Sequence, residues 1–379
     1  MLSKKYLDKN KELNFASTID KGIDIVLLIP VYKEVNLIEN SINYFGKLKN
    51  VNVIYITSSK ETNKATYNIG RQIIIDKQFT NIKIINSPNL YGNMATQLNY
   101  GLKYVSKNAM VGLYNVDSRP TQSTFDFVRS KHNEEISVFQ QVSYFNDDLK
   151  GILLSAQRWQ NRWSVIFELG RLLKPTTIDK YRYTIGHGFF CKKSILDKIG
   201  GWPNDEINED NALGYYLSVK NISIYPIPFF EQSDFARSLE IYINQQATWF
   251  NGPFYAFKYF LKCNKKTLGT LFMTFVNFKA AISWILGPIL YLFTSIWSIC
   301  NIFNYFLFLT SLMVIYITFY NFLASRLLKN YLEVKFKYSY ILFDILFYIV
   351  HCFGPILTIW KILLGRNNIE NKYNTEKKY

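Results

Sequence analysis

Cysteine is scarce in this chain: Cys191, Cys263, Cys300 and Cys352 are the only four in 379 residues, and no two stand in a CxxC spacing. That argues against a disulfide framework and against a zinc site. The opening stretch, "MLSKKYLDKNKELNFASTIDKG", is charged throughout and has no apolar core, so no cleavable secretory signal is expected. Internal repeats and low-complexity linkers are also missing. The most consequential absence is of charge. From Ala280 to Ser325, a span of 46 residues, there is no Asp, Glu, Lys, Arg or His, whereas one transmembrane helix needs about 20 apolar residues.

Two spans are therefore expected, about 281–300 and 303–323, with the polar stretch "CNIFN" at Cys300–Asn304 as a tight turn between them. The Gly287-Pro288 pair would bend the first span without uncapping its backbone. A third span is expected at 338–360, where only Asp344 and His351 are ionisable. These give a transmembrane region over 280–362, preceded by an interfacial segment at 256–279 and followed by a basic tail at 363–379. The net charge is +16, and basic residues recur in "KYFLKCNKK" and "SRLLKNYLEVKFK" beside the apolar runs. Positive loops favour the cytoplasmic side and its anionic lipids. The expectation is an integral protein of the cytoplasmic (inner) membrane, in contact with membrane lipids, its soluble part in the cytosol. Three spans place the C-terminus outside, although the basic tail has cytosolic character. Nucleic-acid binding, the competing reading of the charge, lacks a compact basic face with interleaved aromatics, so no nucleic acid is expected as a partner.

Disorder is not expected except at the ends: 49% of the chain's residues are hydrophobic and 17% aromatic, enough for a real core. From Asp24 to about Pro228 short β-branched runs, "DIVLLIP", "NVIYIT", "IKIINS", "MVGLYNV" and "SVFQQV", fit strands buried on both faces. Between them "EVNLIENSINYFGKLK", "ETNKATYNIGRQIIIDK" and "NMATQLNYGLKYVSK" carry apolar residues three and four apart. This alternation predicts an α/β, Rossmann-like layer with a mostly parallel sheet over 23–255, after an N-terminal tail of 1–22. Ligands in such sheets sit beyond the carboxyl ends of the strands, which draws attention to Pro30–Glu34, Thr57–Glu61 and Asn115–Pro120.

Three polar clusters stand out. In "YNVDSRP", Asn115 and Asp117 would point the same way on an extended chain and offer oxygens to a hard cation such as Mg²⁺ or Mn²⁺. The same residues, with Ser118 and Pro120, also suit a strand-ending turn. In "INEDNALGYYL", Glu209 and Asp210 either complement the dipole of a following helix or supply a general base. In "NQQATWFNGP", Gln245 and Trp249 share a helix face. They either bind a phosphate or sugar or anchor the chain at the lipid headgroups.

Taken together, in this order and ahead of membrane spans, the clusters resemble the family 2 glycosyltransferases of GT-A fold. The likeness is to the membrane-bound branch that includes cellulose, chitin and hyaluronan synthases, and it runs from about Ile25 to Gly252. "LLIPVYKE" is similar to the family's opening strand and nucleotide-binding turn, which implies Pro30, Tyr32 and Glu34 as donor-nucleotide contacts. "NVDSRP" resembles the D-x-D motif, with Asp117 as the metal aspartate and Asn115 in place of the first carboxylate. "GHGFFCKKSILDKIGGW", which contains His187, resembles the segment leading to the acceptor site. Glu209-Asp210 match the catalytic E-D pair, whose aspartate serves as base. Gln245, Thr248 and Trp249 fall on the Q-x-x-R-W motif, which touches acceptor and diphosphate. "NKYNTEKK" resembles a short basic motif after the last span.

The resemblance implies inverting transfer of a sugar from a nucleoside-diphosphate sugar, a UDP-sugar being the expected donor, with Mg²⁺ or Mn²⁺ at Asp117 and a glycan or lipid-linked acceptor. The chain departs from the pattern at Thr248, where arginine is usual, at Met94, where lysine is usual, and at Asn115. These departures favour single addition over processive polymerisation. They also motivate an alternative: a catalytically degenerate nucleotide-sugar-binding protein that organises a polysaccharide synthase complex.

Overall fold

A computed structural model of the chain describes residues 2–10, 23–174, 182, 184–300, 305–332, 334 and 341–367. Two compact units emerge: Met1–Ser143 with Arg182–Ser233, and Tyr144–Tyr181 with Asp234–Tyr379. Residues 144–181 and 234–255, which the sequence pattern assigns to the α/β part, thus group with the apolar helices.

The first unit is built on a seven-stranded sheet of β1 (Ile25–Pro30), β2 (Val51–Ser58), β3 (Ile82–Ser87), β4 (Met110–Leu113), β5 (Val138–Gln140), β6 (Phe189–Lys192) and β7 (Tyr225–Pro226). Their spatial order is β3-β2-β1-β4-β6-β5-β7. All neighbours are parallel except β6, which runs antiparallel between β4 and β5. The five apolar runs are the first five strands. β1 is buried at every position, as a central strand covered on both faces must be. Helices Val35–Phe45, Ala65–Asp76 and Met94–Gly101 occupy the three stretches of helical period. The first turns Ile38, Ile42 and Phe45 inward at a spacing of three to four, and these join Leu27, Tyr55 and Phe125 in one core. Each such side chain contributes about 1.5–3 kcal/mol of burial.

β4 ends at Leu113, three residues short of its apolar run, because the chain turns at once. The Ser118 N–H bonds the Asn115 carbonyl at 3.2 Å. Asn115 and Asp117 therefore share a turn and do not alternate on an extended strand, so the same-side geometry expected of them is replaced by that of the turn.

Among the described residues of the second unit, three helices are long and apolar enough to cross a membrane, spanning Leu268–Ser298, Leu307–Leu332 and Phe343–Leu363. The first lies in a continuous helix, Leu268–Cys300, which passes through Pro288. It begins well before 281 and takes up half of the segment expected to be interfacial, because Leu268–Phe278 is as apolar as the rest of the helix. The second extends beyond 323, to Leu332. The third breaks at His351-Cys352 into Ile341–Val350 and Phe353–Leu363. There the Trp284 indole N–H donates to the His351 carbonyl at 3.1 Å, satisfying an acceptor that the break releases. Large apolar side chains such as Leu286, Phe293, Ile315 and Phe319 are exposed on these helices, as lipid contact requires. The expected turn at Cys300–Asn304, the start of the third span at 338–340 and the motif "NKYNTEKK" lie wholly or largely outside the described residues.

Helix Phe353–Leu363 crosses helix Leu239–Phe254 closely. The Thr358 hydroxyl donates to the Ala247 carbonyl at 2.6 Å. A Cβ at Gly354 would stand 2.5 Å from the Gln246 Cβ and 2.9 Å from the backbone nitrogen of Ala247. Backbone cannot yield as a side-chain tip does. Gly354→Ala should push the pair apart and cost about 1–3 kcal/mol, read as a lower unfolding midpoint of the detergent-solubilised chain.

Candidate active site

Parallel strands deliver their carboxyl ends to one edge of the sheet, and an antiparallel strand delivers its start to that same edge. Seven segments consequently reach that edge: those after β1, β2, β3, β4, β5 and β7, and the one before β6. The order β2-β1-β4 makes the gap between β1 and β4 the topological switch point, where connections leave in opposite directions and ligands of open α/β sheets bind. Pro30–Glu34 and Asn115–Asp117 flank this gap.

Pro30 is the last residue of β1. Tyr32 comes two residues later, with the Lys33 ammonium 5.2 Å from its ring centroid, and Glu34 stands at the N-cap of helix Val35–Phe45. Across the gap, the Asn115 N–H donates to the Ser118 Oγ at 3.1 Å. Arg119 Nη1 donates to the carbonyls of Val116 and Ser118 at 3.0 and 2.7 Å, with its guanidinium 5.2 Å from the Tyr44 ring centroid. Arg119 braces the turn that presents Asp117, whose side chain is 4% exposed.

Glu209 and Asp210 open helix Glu209–Val219, capped by the Asn208 side chain on the Asn211 N–H. Their position fits the dipole role. It also aims Asp210 at the segment before β6. A Cβ at Gly186 would lie 3.0 Å from Asp210 Oδ2 and 3.9 Å from Met94 Cε, and the Thr184 hydroxyl donates to the Asp210 carbonyl at 2.7 Å. Any side chain at 186 would press on the Asp210 carboxylate. Met94 therefore lies in the neighbourhood of Asp210, where a lysine would pair with that carboxylate and lower its basicity. Glu209 is buried at 1% exposure.

His187 sits between the two glycines of "GHG". Its Nδ1 is 2.9 Å from Glu231 Oε2, and a carboxylate only accepts, so Nδ1 carries the hydrogen. Gly188 has φ +63°, and a Cβ there would stand 2.9 Å from the Gln141 carbonyl and 3.2 Å from Glu231 Oε2, a conformation and a clearance that only glycine meets easily. Gln140 spans the loop, donating to the His187 carbonyl at 2.8 Å and accepting from the Ile185 N–H at 2.9 Å. The Tyr114 phenol donates to Gln141 Oε1. Burial, then Glu231 and Tyr44, push that phenol well above its ordinary pKa, so it stays a neutral donor.

Glu231, Gln140 and Gln141 had no sequence signal. Glu231 opens a two-residue strand, and only the tertiary fold brings it to His187. Removing its side chain leaves His187 Nδ1 and the Ser233 hydroxyl, 3.1 Å from Oε1, without their buried acceptor. Glu231→Ala should cost about 1–3 kcal/mol, and Glu231→Gln, which keeps an acceptor, markedly less. Thermal unfolding of the pair measures this.

Gln245, Thr248 and Trp249 belong to the second unit, on helix Leu239–Phe254. Gln245 and Thr248 are buried and Trp249 is half-buried. The Thr248 hydroxyl donates to the Asn244 carbonyl one turn back, at 3.1 Å, so its one hydrogen is used within its own helix.

Among the described residues no three His, Cys, Asp or Glu side chains group as a metal cage. Mg²⁺ and Mn²⁺ do not need one, since such ions bind through one or two carboxylates with substrate phosphates and water completing the shell. A single buried carboxylate at the switch point fits an ion that arrives with a diphosphate.

No protein-family model matches the chain, and no curated protein matches its sequence. Among solved structures it is similar to the mannosyltransferase PcManGT from Pyrobaculum calidifontis, determined with GDP-mannose and Mn²⁺, at 12% identity over 95% of each chain and TM-score 0.55. Glucosyl-3-phosphoglycerate synthase from Mycobacterium tuberculosis aligns at 12% identity over 61% of this chain and 80% of its own. Its TM-score is 0.37, too low to bear on the fold. At 12% identity the likeness to the mannosyltransferase is one of fold: the chain has a GT-A-type α/β layer followed by apolar helices.

Proposed function

We propose that the chain is a membrane-bound inverting glycosyltransferase of family 2 type. It moves a sugar from a nucleoside-diphosphate sugar to a hydroxyl of a lipid-linked or growing glycan acceptor, in cell-surface polysaccharide or glycolipid synthesis, with the catalytic part on the cytosolic face. The observation that carries this reading is the convergence of Asp117 and Asp210 on one edge of the sheet. Asp117 stands on a braced turn at the switch point, and the Asp210 carboxylate lies beside Gly186 in the segment before β6.

In the proposed reaction Pro30, Tyr32 and Glu34 line the nucleoside pocket. Asp117, with the Asn115 side-chain oxygen, would hold Mg²⁺ or Mn²⁺, which supplies neutralisation of the charge that develops on the leaving diphosphate. Asp210 takes the proton of the acceptor hydroxyl as that oxygen attacks the anomeric carbon from the face opposite the diphosphate. Glu209 shares the helix start and completes the proposed acidic pair. His187, fixed by Glu231, borders the acceptor side. Gln245, Thr248 and Trp249 are the proposed acceptor and diphosphate contacts of the helix that precedes the spans.

The test is donor profiling. The purified full chain with Mn²⁺ or Mg²⁺ is given UDP-sugars, GDP-mannose and a panel of lipid-linked and glycan acceptors, and release of nucleoside diphosphate is monitored. Acceptor-dependent release from one donor is expected. Tight donor binding without release across the whole panel would instead favour the nucleotide-sugar-binding protein, the reading that Thr248 and Met94 motivate.

A further inference from the structure

The helix Gly151–Arg162 turns an unusual stripe inward. Ser155, Arg158, Trp159 and Arg162, spaced at three, four and seven, are 0%, 9%, 3% and 4% exposed, so the face that ought to be apolar carries two guanidinium groups. The helix packs against the apolar helices Tyr305–Leu332 and Ile341–Val350. From these come Asn321 and Asp344, 2% and 1% exposed. All of these residues lie in the second unit.

Arg162 has no carboxylate of its own among the described residues. Arg158 Nη2 pairs with Asp344 Oδ2 at 2.8 Å. The guanidinium carbon of Arg162 lies over the Trp159 ring, 3.4 Å from its centroid. Its electrostatic neighbours are Tyr242, Tyr316 and Tyr348, which are neutral, and the same Asp344. The one carboxylate that Arg162 senses is thus already paired with Arg158. Nε and Nη1 of Arg162 are buried and meet no acceptor, and the Tyr242 hydroxyl and His351 Nδ1 are likewise buried without a hydrogen-bond partner, while the Asn321 and Ser155 side chains face the Asp344 carboxylate. A buried, unmatched cation ringed by unused polar groups is unfavourable unless an anion completes it. In a segment packed on membrane helices, ionisable groups of this kind mark a ligand path. A π-helical turn, Trp163–Glu168, comes directly after Arg162, and such turns often accompany functional sites.

We propose that Arg162, with Arg158, Tyr242 and Asn321 around it, forms an anion site for a phosphate group among the apolar helices. Arg suits this role because its planar fork of donors matches phosphate oxygens. A phosphate group can reach the cluster as the headgroup of a membrane lipid or as a free ion, and the two sources are separable.

The full chain in detergent is mixed with phosphatidic acid, with diacylglycerol of the same acyl chains, or with inorganic phosphate. Its unfolding midpoint is recorded, and retained lipid is counted by native mass spectrometry. Phosphatidic acid should raise the midpoint and remain bound, with at least tenfold weaker binding in Arg162→Gln, while diacylglycerol does neither. A shift confined to phosphatidic acid assigns the site to a lipid headgroup. A shift with inorganic phosphate that is equally lost in Arg162→Gln assigns it to a soluble ion. Arg162→Lys keeps the charge, should retain part of the shift, and serves if the glutamine variant does not fold. Asp344→Asn removes the competing carboxylate and should bind phosphatidic acid or phosphate more tightly than wild type. Equal binding by wild type and Arg162→Gln, no binding of either phosphate probe by wild type, or weaker binding by Asp344→Asn overturns the proposal. Sugar transfer is not the readout, so the outcome stands apart from that of donor profiling.

Discussion

Asp210→Asn will lower acceptor-dependent release of nucleoside diphosphate by about 10²–10⁴-fold, the range a positioned general base contributes. The variant keeps the side chain's size and its ability to accept from the Asn211 N–H, now 2.7 Å from Oδ1. The Asn208 cap is untouched, so the helix start should persist and the unfolding midpoint should move little. Donor affinity should be unchanged, because the substitution removes a proton acceptor and not a phosphate contact. Turnover within tenfold of wild type would rule out Asp210 as the base.

Asp117→Ala will abolish metal-dependent donor binding, with a loss of about 10²-fold or more, since a metal at a leaving diphosphate supplies several kcal/mol of charge stabilisation. The effect should be large because Asn115 is no second carboxylate: the turn has a single anionic ligand. Titration of the donor with and without Mn²⁺ measures it, with Asp117→Asn as the control that keeps side-chain size. The turn itself is closed by Ser118 and Arg119, so a folded variant is expected. A Mn²⁺ response that survives in Asp117→Ala would leave "YNVDSRP" as a turn alone.

The alternation of apolar runs and helical periods sufficed for β1 to β5, since a strand covered on both faces must be apolar from end to end. β6 and β7 escaped because four- and two-residue strands carry no period. Of the candidate site, Asp117 and Asp210 were legible because their motifs are local. Glu231 was not, because its place beside His187, 44 positions away in sequence, depends on the turn after β7. The stripe Ser155, Arg158, Trp159 and Arg162 was illegible for a different reason. Two arginines and a serine carry no local sign of burial, and only packing against apolar helices shows that face to be inside. The length of the first apolar helix was likewise hidden, since Lys279 interrupts an apolar stretch that the helix simply continues through.

The antiparallel strand β6 has a bearing on how the chain is made. β4 and β5 do not touch; each pairs with β6, which is synthesised only after the excursion through 144–181 into the other unit. A nascent chain that has emerged as far as Ser143 therefore holds β3-β2-β1-β4 with an open edge along Met110–Leu113, and β5 has nothing to pair with. Exposed strand edges of this kind invite pairing between chains. Ribosome-bound intermediates halted between residues 143 and 189 should accordingly be the most prone to aggregate and to recruit chaperones, and release of Phe189–Lys192 from the exit tunnel should end that vulnerability in one step.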